Sequence, residues 1–340
     1  MRFKTRQVGD TDLHLSELGF GSATLASIFV PVPDQQALDT VAAGLDAGVG
    51  FFDTAPQYGY GRAEHLVGDA LRFRPEPFVL STKVGRLLRP VRSDAERDYP
   101  HNWVKPFPFE QVYDYSYSGV MRSFEASLNR LGLAQVDILL VHDIGVMTHG
   151  VDKNREYWTQ LSDGGGYKAL KELKASGQVK AIGFGVNEWE VLMEAFKLGD
   201  WDIFLLAGRY TLLEQTSLEP FLSTCVNRRA SVVAGAPFNG GALMGTGKWN
   251  YGNAPAEVVK RVGELEAVCA EFNVPIGAAA LQFPLAHKAV CNVLTGPKSP
   301  DEVSGILAWW DEKIPSALWD ALADRHFVAK GTPLPNGRVA

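Results

Sequence analysis

Cysteine is scarce in this chain, and no long apolar run interrupts it. Cys225, Cys269 and Cys291 are the only three in 340 residues, odd in number and far apart. Their spacing fits neither a zinc pattern nor a disulfide framework, so a reducing cytoplasmic setting and no bound metal are expected. No stretch approaches the roughly 20 apolar residues that cross a bilayer. The opening MRFKTRQVGD carries no apolar segment of the secretory kind, so no membrane partner is expected. A basic surplus is missing as well. The formal net charge is -6 with both signs mixed along the chain, which removes the electrostatic footprint of a nucleic-acid binder. P-loop, H-E-x-x-H and G-x-S-x-G motifs are absent. GFGSAT, YGYGRAE and GFGVNE each stop short of G-x-G-x-x-G, which argues against a doubly wound dinucleotide sheet.

What the chain does hold is alternation. A hydrophobic content of 46% over this length can bury a large core. After a short hairpin over 3–15, turning at Gly9 and Asp10, strand-like and helix-like stretches take turns. Strands are expected over 15–21, 49–53, 78–83, 136–142, 180–187, 202–208, 230–237 and 289–296. Apolar residues at helical spacing follow each one, as in Leu38, Val41, Ala42 and Leu45 behind a capping Asp34. Eight such units match an α/β chain folded as a (β/α)₈ TIM barrel, expected to be one domain over 1–340. Three connections are long. The segment over 84–116 interleaves Tyr99, Trp103, Phe107, Phe109, Tyr113 and Tyr115 with Pro90, Pro100, Pro106 and Pro108, so it should be ordered and overhang the barrel mouth. The stretch over 143–166 is long too, and the loop after strand seven carries Trp249 and Tyr251.

Chemistry gathers at the strand ends. VGFFD, FVLSTK and VDILLVH stay mostly apolar until they stop at Asp53, Lys83 and His142, and Tyr58 follows shortly after the first. Residues at the carboxyl ends of barrel strands share one mouth. A free phenol titrates near 10. An ammonium about 4 Å away stabilises the phenolate by roughly 4 kcal/mol at an effective dielectric of 20. A third of that lowers the phenol by about one unit. In this reading Asp53 aims Lys83, Lys83 tunes Tyr58, Tyr58 transfers a proton, and His142 donates to a substrate oxygen. Such a set supplies no hydride, so a nicotinamide cofactor is expected to bring it.

The stretches GVGFFDTAPQYGYGRAEHLVGDAL, STKVG, VDILLVHD, IGFGVNEWE and VLTGPKSPDEV resemble the aldo-keto reductase family. The resemblance runs over about 8–328. It implies a catalytic tetrad of Asp53, Tyr58, Lys83 and His142 and an NAD(P) lying extended across the mouth. It assigns Ser22, Asp53, Asn187, Pro237, Phe238, Gly296, Pro297, Lys298 and Glu302 to that cofactor. Three positions depart from the family pattern. Val186 replaces a Ser, Ala207 replaces a Gln, and Gly235 stands where an aromatic often stacks on the nicotinamide. Glu302 stands where an Arg often meets the 2′-phosphate of NADP, so NAD is the expected preference, with Lys298 leaving NADP open.

Within the family, FGSATLAS, APQYGYGRAEHLVGDAL and LLAGRYTLLEQ resemble the aldose 1-dehydrogenase branch, with pyridoxal 4-dehydrogenase as a neighbour. The expected reaction oxidises an L-fucose-like aldose at C1 to its lactone, with Tyr58 as base and hydride passing to nicotinamide C4. Pyridoxal 4-dehydrogenation and NADPH-dependent aldehyde or ketone reduction are the alternatives. Tyr58, His142, Trp103, Phe107 and Trp249 are the expected substrate contacts. The partner is a small molecule, and the chain is expected to be a monomer or small homo-oligomer.

Overall fold

The computed structural model describes residues 2–97, 102–250 and 252–340; the expected loop residues Tyr99, Pro100 and Tyr251 lie outside them. In chain order the strands are β1 (Thr5–Gln7), β2 (His14–Ser16), β3 (Leu18–Gly21), β4 (Phe51–Asp53), β5 (Val79–Val84), β6 (Arg86–Pro90), β7 (Phe109–Tyr113), β8 (Ile138–His142), β9 (Ala181–Val186), β10 (Ile203–Ala207), β11 (Ser231–Gly235), β12 (Lys248–Trp249), β13 (Gly252–Asn253) and β14 (Val290–Thr295). The helices are α1 (Asp34–Asp46), α2 (Arg62–Leu71), α3 (Tyr117–Leu131), α4 (Val146–Leu161), α5 (Gly166–Ala175), α6 (Trp189–Leu198), α7 (Ser223–Arg228), α8 (Ala256–Glu271), α9 (Ile276–Gln282), α10 (Pro300–Asp311) and α11 (Ser316–Asp324). Strands β3, β4, β5, β8, β9, β10, β11 and β14 pair in that order, all parallel, and β14 closes onto β3 to complete a (β/α)₈ barrel. No single helix among the described residues is long and apolar enough to cross a membrane.

Two-residue periodicity divides the barrel. On β8, Leu139 and Val141 face the helices, whereas Ile138 and Leu140 face the interior with Phe51, Ala181, Ile203, Leu205 and Val233. Val8, Leu13 and Leu15 of the amino-terminal hairpin join that inner cluster, so the hairpin stoppers the end of the barrel opposite its strand termini. The same parity has a chemical consequence. Phe51 points inward and Phe52 outward, so Asp53 returns inward. Val79 points inward, Leu80 outward, and therefore Ser81 and Lys83 inward. His142 follows Ile138 and Leu140. Three ionisable groups thus top the inner faces of three adjacent strands.

Several expected elements shift. Strand one divides: His14–Ser16 belongs to the hairpin and Leu18–Gly21 to the barrel, because Glu17 turns its N–H to Lys4 O at the break. Asp34 does not cap α1; it is the first helical residue, and its carboxylate accepts from Arg62. Within the segment over 84–116, β6 and β7 pair as an antiparallel ribbon. The stretch over 143–166 contains α4, two helical pieces broken at Gly150 (φ 70). Of that helix only Tyr157 and Leu161 are buried, so it carries no apolar periodicity to read. Helices α9 and α11 add to the alternation.

Barrel closure leaves no room for a side chain at Gly183, where a Cβ would fall 1.5 Å from Ile203 O on the neighbouring strand. At Gly263, inside α8, a Cβ meets nothing within 4 Å. Gly183→Ala is expected to cost roughly 3 kcal/mol or more. Gly263→Ala is expected to add about 0.5–1 kcal/mol through helix propensity. Urea midpoints of the two variants check both, and equal midpoints would contradict this packing.

Candidate active site

Lys83 is the centre of the mouth. Its side chain is 1% exposed and passes beside Gly185, where a Cβ would come 2.9 Å from Lys83 Cε. An ammonium has three donors and no acceptor. Lys83 Nζ donates to Asp53 Oδ2 at 2.6 Å, to Thr54 O at 2.9 Å and to Tyr58 OH at 3.1 Å. All three are used. The phenolic oxygen of Tyr58 accepts from Lys83, so its own proton is left to point elsewhere. Asp53 is fixed from its other oxygen, since Ser81 Oγ donates to Oδ1 at 2.6 Å. Tyr58 enters from the loop after β4. There Gly59 (φ 61), Tyr60 (φ 54) and Gly61 (φ 96) turn the chain through left-handed backbone before α2 begins. A Cβ on Gly59 would come 2.9 Å from Ala26 Cβ, so glycine is needed there on two counts.

His142 completes the group. Its ring stands nearly perpendicular to Tyr58, at 85° and 5.8 Å between centroids. Burial, with the positive charges of Arg86 and Lys83 behind it, holds the imidazole well below its usual pKa, so it is neutral at physiological pH. The structure reverses one expectation about Tyr58. Its pKa lies above the ordinary phenol value, not below it. Burial dominates, and the carboxylates of Asp53 and Asp143 push the same way; only Arg86 opposes them appreciably.

The remaining expected residues separate into two sets. Ser22, Asp53, Tyr58, Asn187, Pro237, Phe238, Gly296, Pro297, Lys298 and Glu302 all line one cleft of about 840 Å³ that crosses the mouth. Ser22 Oγ is buried with no hydrogen-bond partner at the cleft wall, a site left open for a ligand atom. Ala207 and Gly235 are register partners, and both line the cleft, which makes its floor flat there. Lys298 donates its backbone N–H to Glu302 Oε2 at 2.9 Å and sets its ammonium 3.2 Å from Oε1. The aromatic contacts divide differently. Trp103 pairs with Ile28 and packs on Tyr58, at 6.0 Å between centroids. Phe107 does not line the cleft: its ring lies against His65 of α2, because its N–H is held by Gly59 O and its carbonyl by Arg97. Trp249 lies between Lys248 and Asn250, which line the cleft, while its own ring packs into the helix-facing core.

The sequence reading missed Arg86, Gln111 and Asp143. Arg86 is 2% exposed, donates through Nη1 to Gln111 Oε1 at 2.7 Å and through Nη2 to Asp143, and lies over the Tyr113 ring. Tyr115, expected only as one of the loop aromatics, belongs to the site: its hydroxyl donates to His142 O at 2.7 Å and lies 3.1 Å from His149 Nε2. Gly85 (φ 98) lets that ring approach; a Cβ there would come within 2.2 Å of it. No group of three or more His, Cys, Asp or Glu side chains that could hold a metal ion occurs among the described residues.

Comparison with known proteins gives these features a context. Residues 17–324 match the Aldo/keto reductase family. The chain is 43% identical over 337 residues to a pyridoxal 4-dehydrogenase of Microbacterium luteolum, covering 95% of this chain and 98% of that one. It is 34% identical over 324 residues to a D-threo-aldose 1-dehydrogenase of a Pseudomonas species, covering 93% and 95%. Among solved structures, the holo form of an aldo-keto reductase from Bacillus halodurans superposes with a TM-score of 0.70 at 25% identity, covering 95% and 96%.

His149 offers a pH test of the packing beneath His142. Burial, and Arg86 after it, lower its pKa to about 4. A neutral imidazole in the folded state contributes its full stability above the ordinary value of about 6.5. That contribution is lost as the pH falls from there towards the folded value. The thermal midpoint of the wild type should therefore drop further between about pH 7 and pH 5 than that of His149→Gln. Parallel pH dependences would contradict the assignment.

Proposed function

The chain belongs to the aldo/keto reductase family, and on that premise we propose that it oxidises a cyclic hemiacetal to its lactone with NAD. It is an oxidoreductase acting on CH–OH groups. The observation that carries the reaction is the three-way use of Lys83. With the ammonium donating to the phenolic oxygen, the hydroxyl proton of Tyr58 faces the reacting oxygen. Tyr58 is then the proton carrier: as the phenol it is the acid when a carbonyl is reduced, and as the phenolate, once its own proton has passed to solvent through the cleft, it is the base that takes the proton of a hydroxyl being oxidised. Lys83 stabilises the phenolate as it forms. Asp53 keeps the ammonium aimed. Neutral His142 donates to the developing carbonyl oxygen and fixes its direction.

The cleft residues fit a dinucleotide. Asn187 would meet the carboxamide, Ser22, Pro237 and Phe238 the central part, and Gly296, Pro297, Lys298 and Glu302 the adenosine end. When bound, the nicotinamide supplies the hydride acceptor. Glu302 already neutralises Lys298. A 2′-phosphate there would meet a carboxylate, whereas a ribose hydroxyl can donate to it, which supports NAD over NADP.

Pyridoxal in its cyclic hemiacetal form is the first substrate to test, ahead of an aldose. Beside Tyr58 the cleft is walled by Ala23 and Ile28, which rest on buried Ala26, Tyr60 and Trp103. That apolar wall suits a flat heterocycle better than a polyol. The greater identity to the pyridoxal enzyme, 43% against 34%, points the same way. An L-fucose-like sugar oxidised at C1 is the second reading, favoured by the remaining polar groups at the mouth.

A screen of pyridoxal and aldoses against NAD and NADP, read as reduced-nicotinamide absorbance, tests all three assignments. Pyridoxal with NAD should give the highest kcat/KM, by about tenfold or more over NADP. A strong NADP preference would overturn the reading of Glu302, and faster turnover of a sugar would overturn that of the substrate.

A further inference from the structure

The proton chain through Lys83 leaves a second buried ion pair in the mouth without a role. Arg86 and Asp143 lie beside His142, with Asp143 Oδ2 3.4 Å from His142 Nε2. A guanidinium and a carboxylate taken out of water cost more than their attraction returns unless the geometry is well served, so a buried pair beside a reactive imidazole calls for a reason. The β6–β7 ribbon supplies the cation: Arg86 opens β6, and Gln111 and Tyr113 of β7 hold it on two sides. Asp143 is the first residue past β8 and has φ 45, a left-handed backbone that a residue with a side chain adopts at a cost. Its N–H is held by Gly185 O at 2.9 Å, which pins that conformation to β9.

The carboxylate is divided among three partners. Oδ2 accepts from Arg86 and lies 3.4 Å from His142 Nε2. Oδ1 accepts from Asn187 Nδ2 at 3.4 Å. The group facing the substrate oxygen and the group facing the carboxamide therefore share one carboxylate.

We propose that Asp143, clamped by Arg86, is a positioning residue that holds the side-chain amide of Asn187 and, lying 3.4 Å from His142 Nε2, keeps the single proton of the neutral imidazole on that nitrogen, so that the substrate-facing and cofactor-facing donors are set together. This rests on the proposed function. Asp143 takes no part in the proton transfer; it acts through the two side chains it orients. The Tyr115 hydroxyl, donating to His142 O, fixes the backbone of the same junction.

Double-mutant cycles test the link. The affinity for reduced nicotinamide dinucleotide, read by quenching of tryptophan fluorescence, and kcat/KM are measured for the wild type, Asp143→Asn, His142→Ala, Asn187→Ala and the two pairs containing Asp143→Asn. Asp143→Asn should weaken dinucleotide binding roughly tenfold in the wild type. It should add little once Asn187 is gone. It should lower kcat/KM by about 10- to 100-fold and again add little on the His142→Ala background. Unchanged dinucleotide affinity, or strictly additive effects on both backgrounds, would overturn the proposal. If Asp143→Asn does not fold, Arg86→Lys is measured instead. It keeps the carboxylate but loosens the clamp, and should shift both readouts in the same direction, whereas a shift in neither overturns the proposal. A wild type that binds no nicotinamide dinucleotide would sink the functional reading itself; one that binds and turns over with additive cycles would sink only this inference.

Discussion

An ammonium buried in the mouth of a closed barrel survives only when each of its N–H bonds ends on an acceptor, and the rest of this site is arranged around that requirement. Lys83 meets it with a carboxylate, a backbone carbonyl and a phenol. Removing any one acceptor leaves a desolvated charge short of a partner. Because two of the three acceptors belong to Asp53 and Thr54, the chemistry is tied to the β4–β5 seam of the barrel itself, and only Tyr58 comes from a loop. Gly185 on β9 clears the path for the Lys83 stem. The position of the reacting phenol is thus set by strand pairing and by the missing side chain of a third strand.

The same geometry decides the resting state. Asp53 keeps Lys83 in place, while burial first, and then the Asp53 and Asp143 carboxylates, hold the Tyr58 phenol above its ordinary pKa. Tyr58 rests protonated, with its oxygen already engaged by the cation that will stabilise the phenolate. His142 rests neutral, because burial and two neighbouring cations oppose a further positive charge. Proton donor and hydrogen-bond donor are therefore both in the forms that carbonyl reduction uses directly, and oxidation must first draw the proton from Tyr58.

Much of this was legible in the sequence, for reasons that can be named. Asp53, Lys83 and His142 stood out because each closes a mostly apolar strand-like run, and the barrel places such strand ends at one mouth; their inward orientation comes from the strand parity seen in the structure. The cleft residues from Ser22 to Glu302 were placed by family resemblance, and the structure gathers them along one groove. Other features had no local signal. Helix α4 buries two side chains and breaks at Gly150, so neither periodicity nor composition marks it. The β6–β7 ribbon sits among prolines and aromatics that read as loop. Arg86 and Asp143 meet across 57 residues, a pairing that only the folded ribbon creates. The pKa direction of Tyr58 failed because a pairwise interaction with Lys83 omits burial and the carboxylates of Asp53 and Asp143. Phe107 was placed over the mouth by composition, whereas the ribbon's return path holds it against α2.

The central assertion is that the hydroxyl of Tyr58 carries the proton while the dinucleotide is held by other residues. It is tested most directly by measuring dinucleotide affinity and single-turnover hydride transfer in the same samples of wild type and Tyr58→Phe. Affinity should stay within about twofold, since no positioning contact to the dinucleotide is lost, and hydride transfer should fall by about 10²- to 10⁴-fold. Hydride transfer at the wild-type rate in Tyr58→Phe would contradict the account.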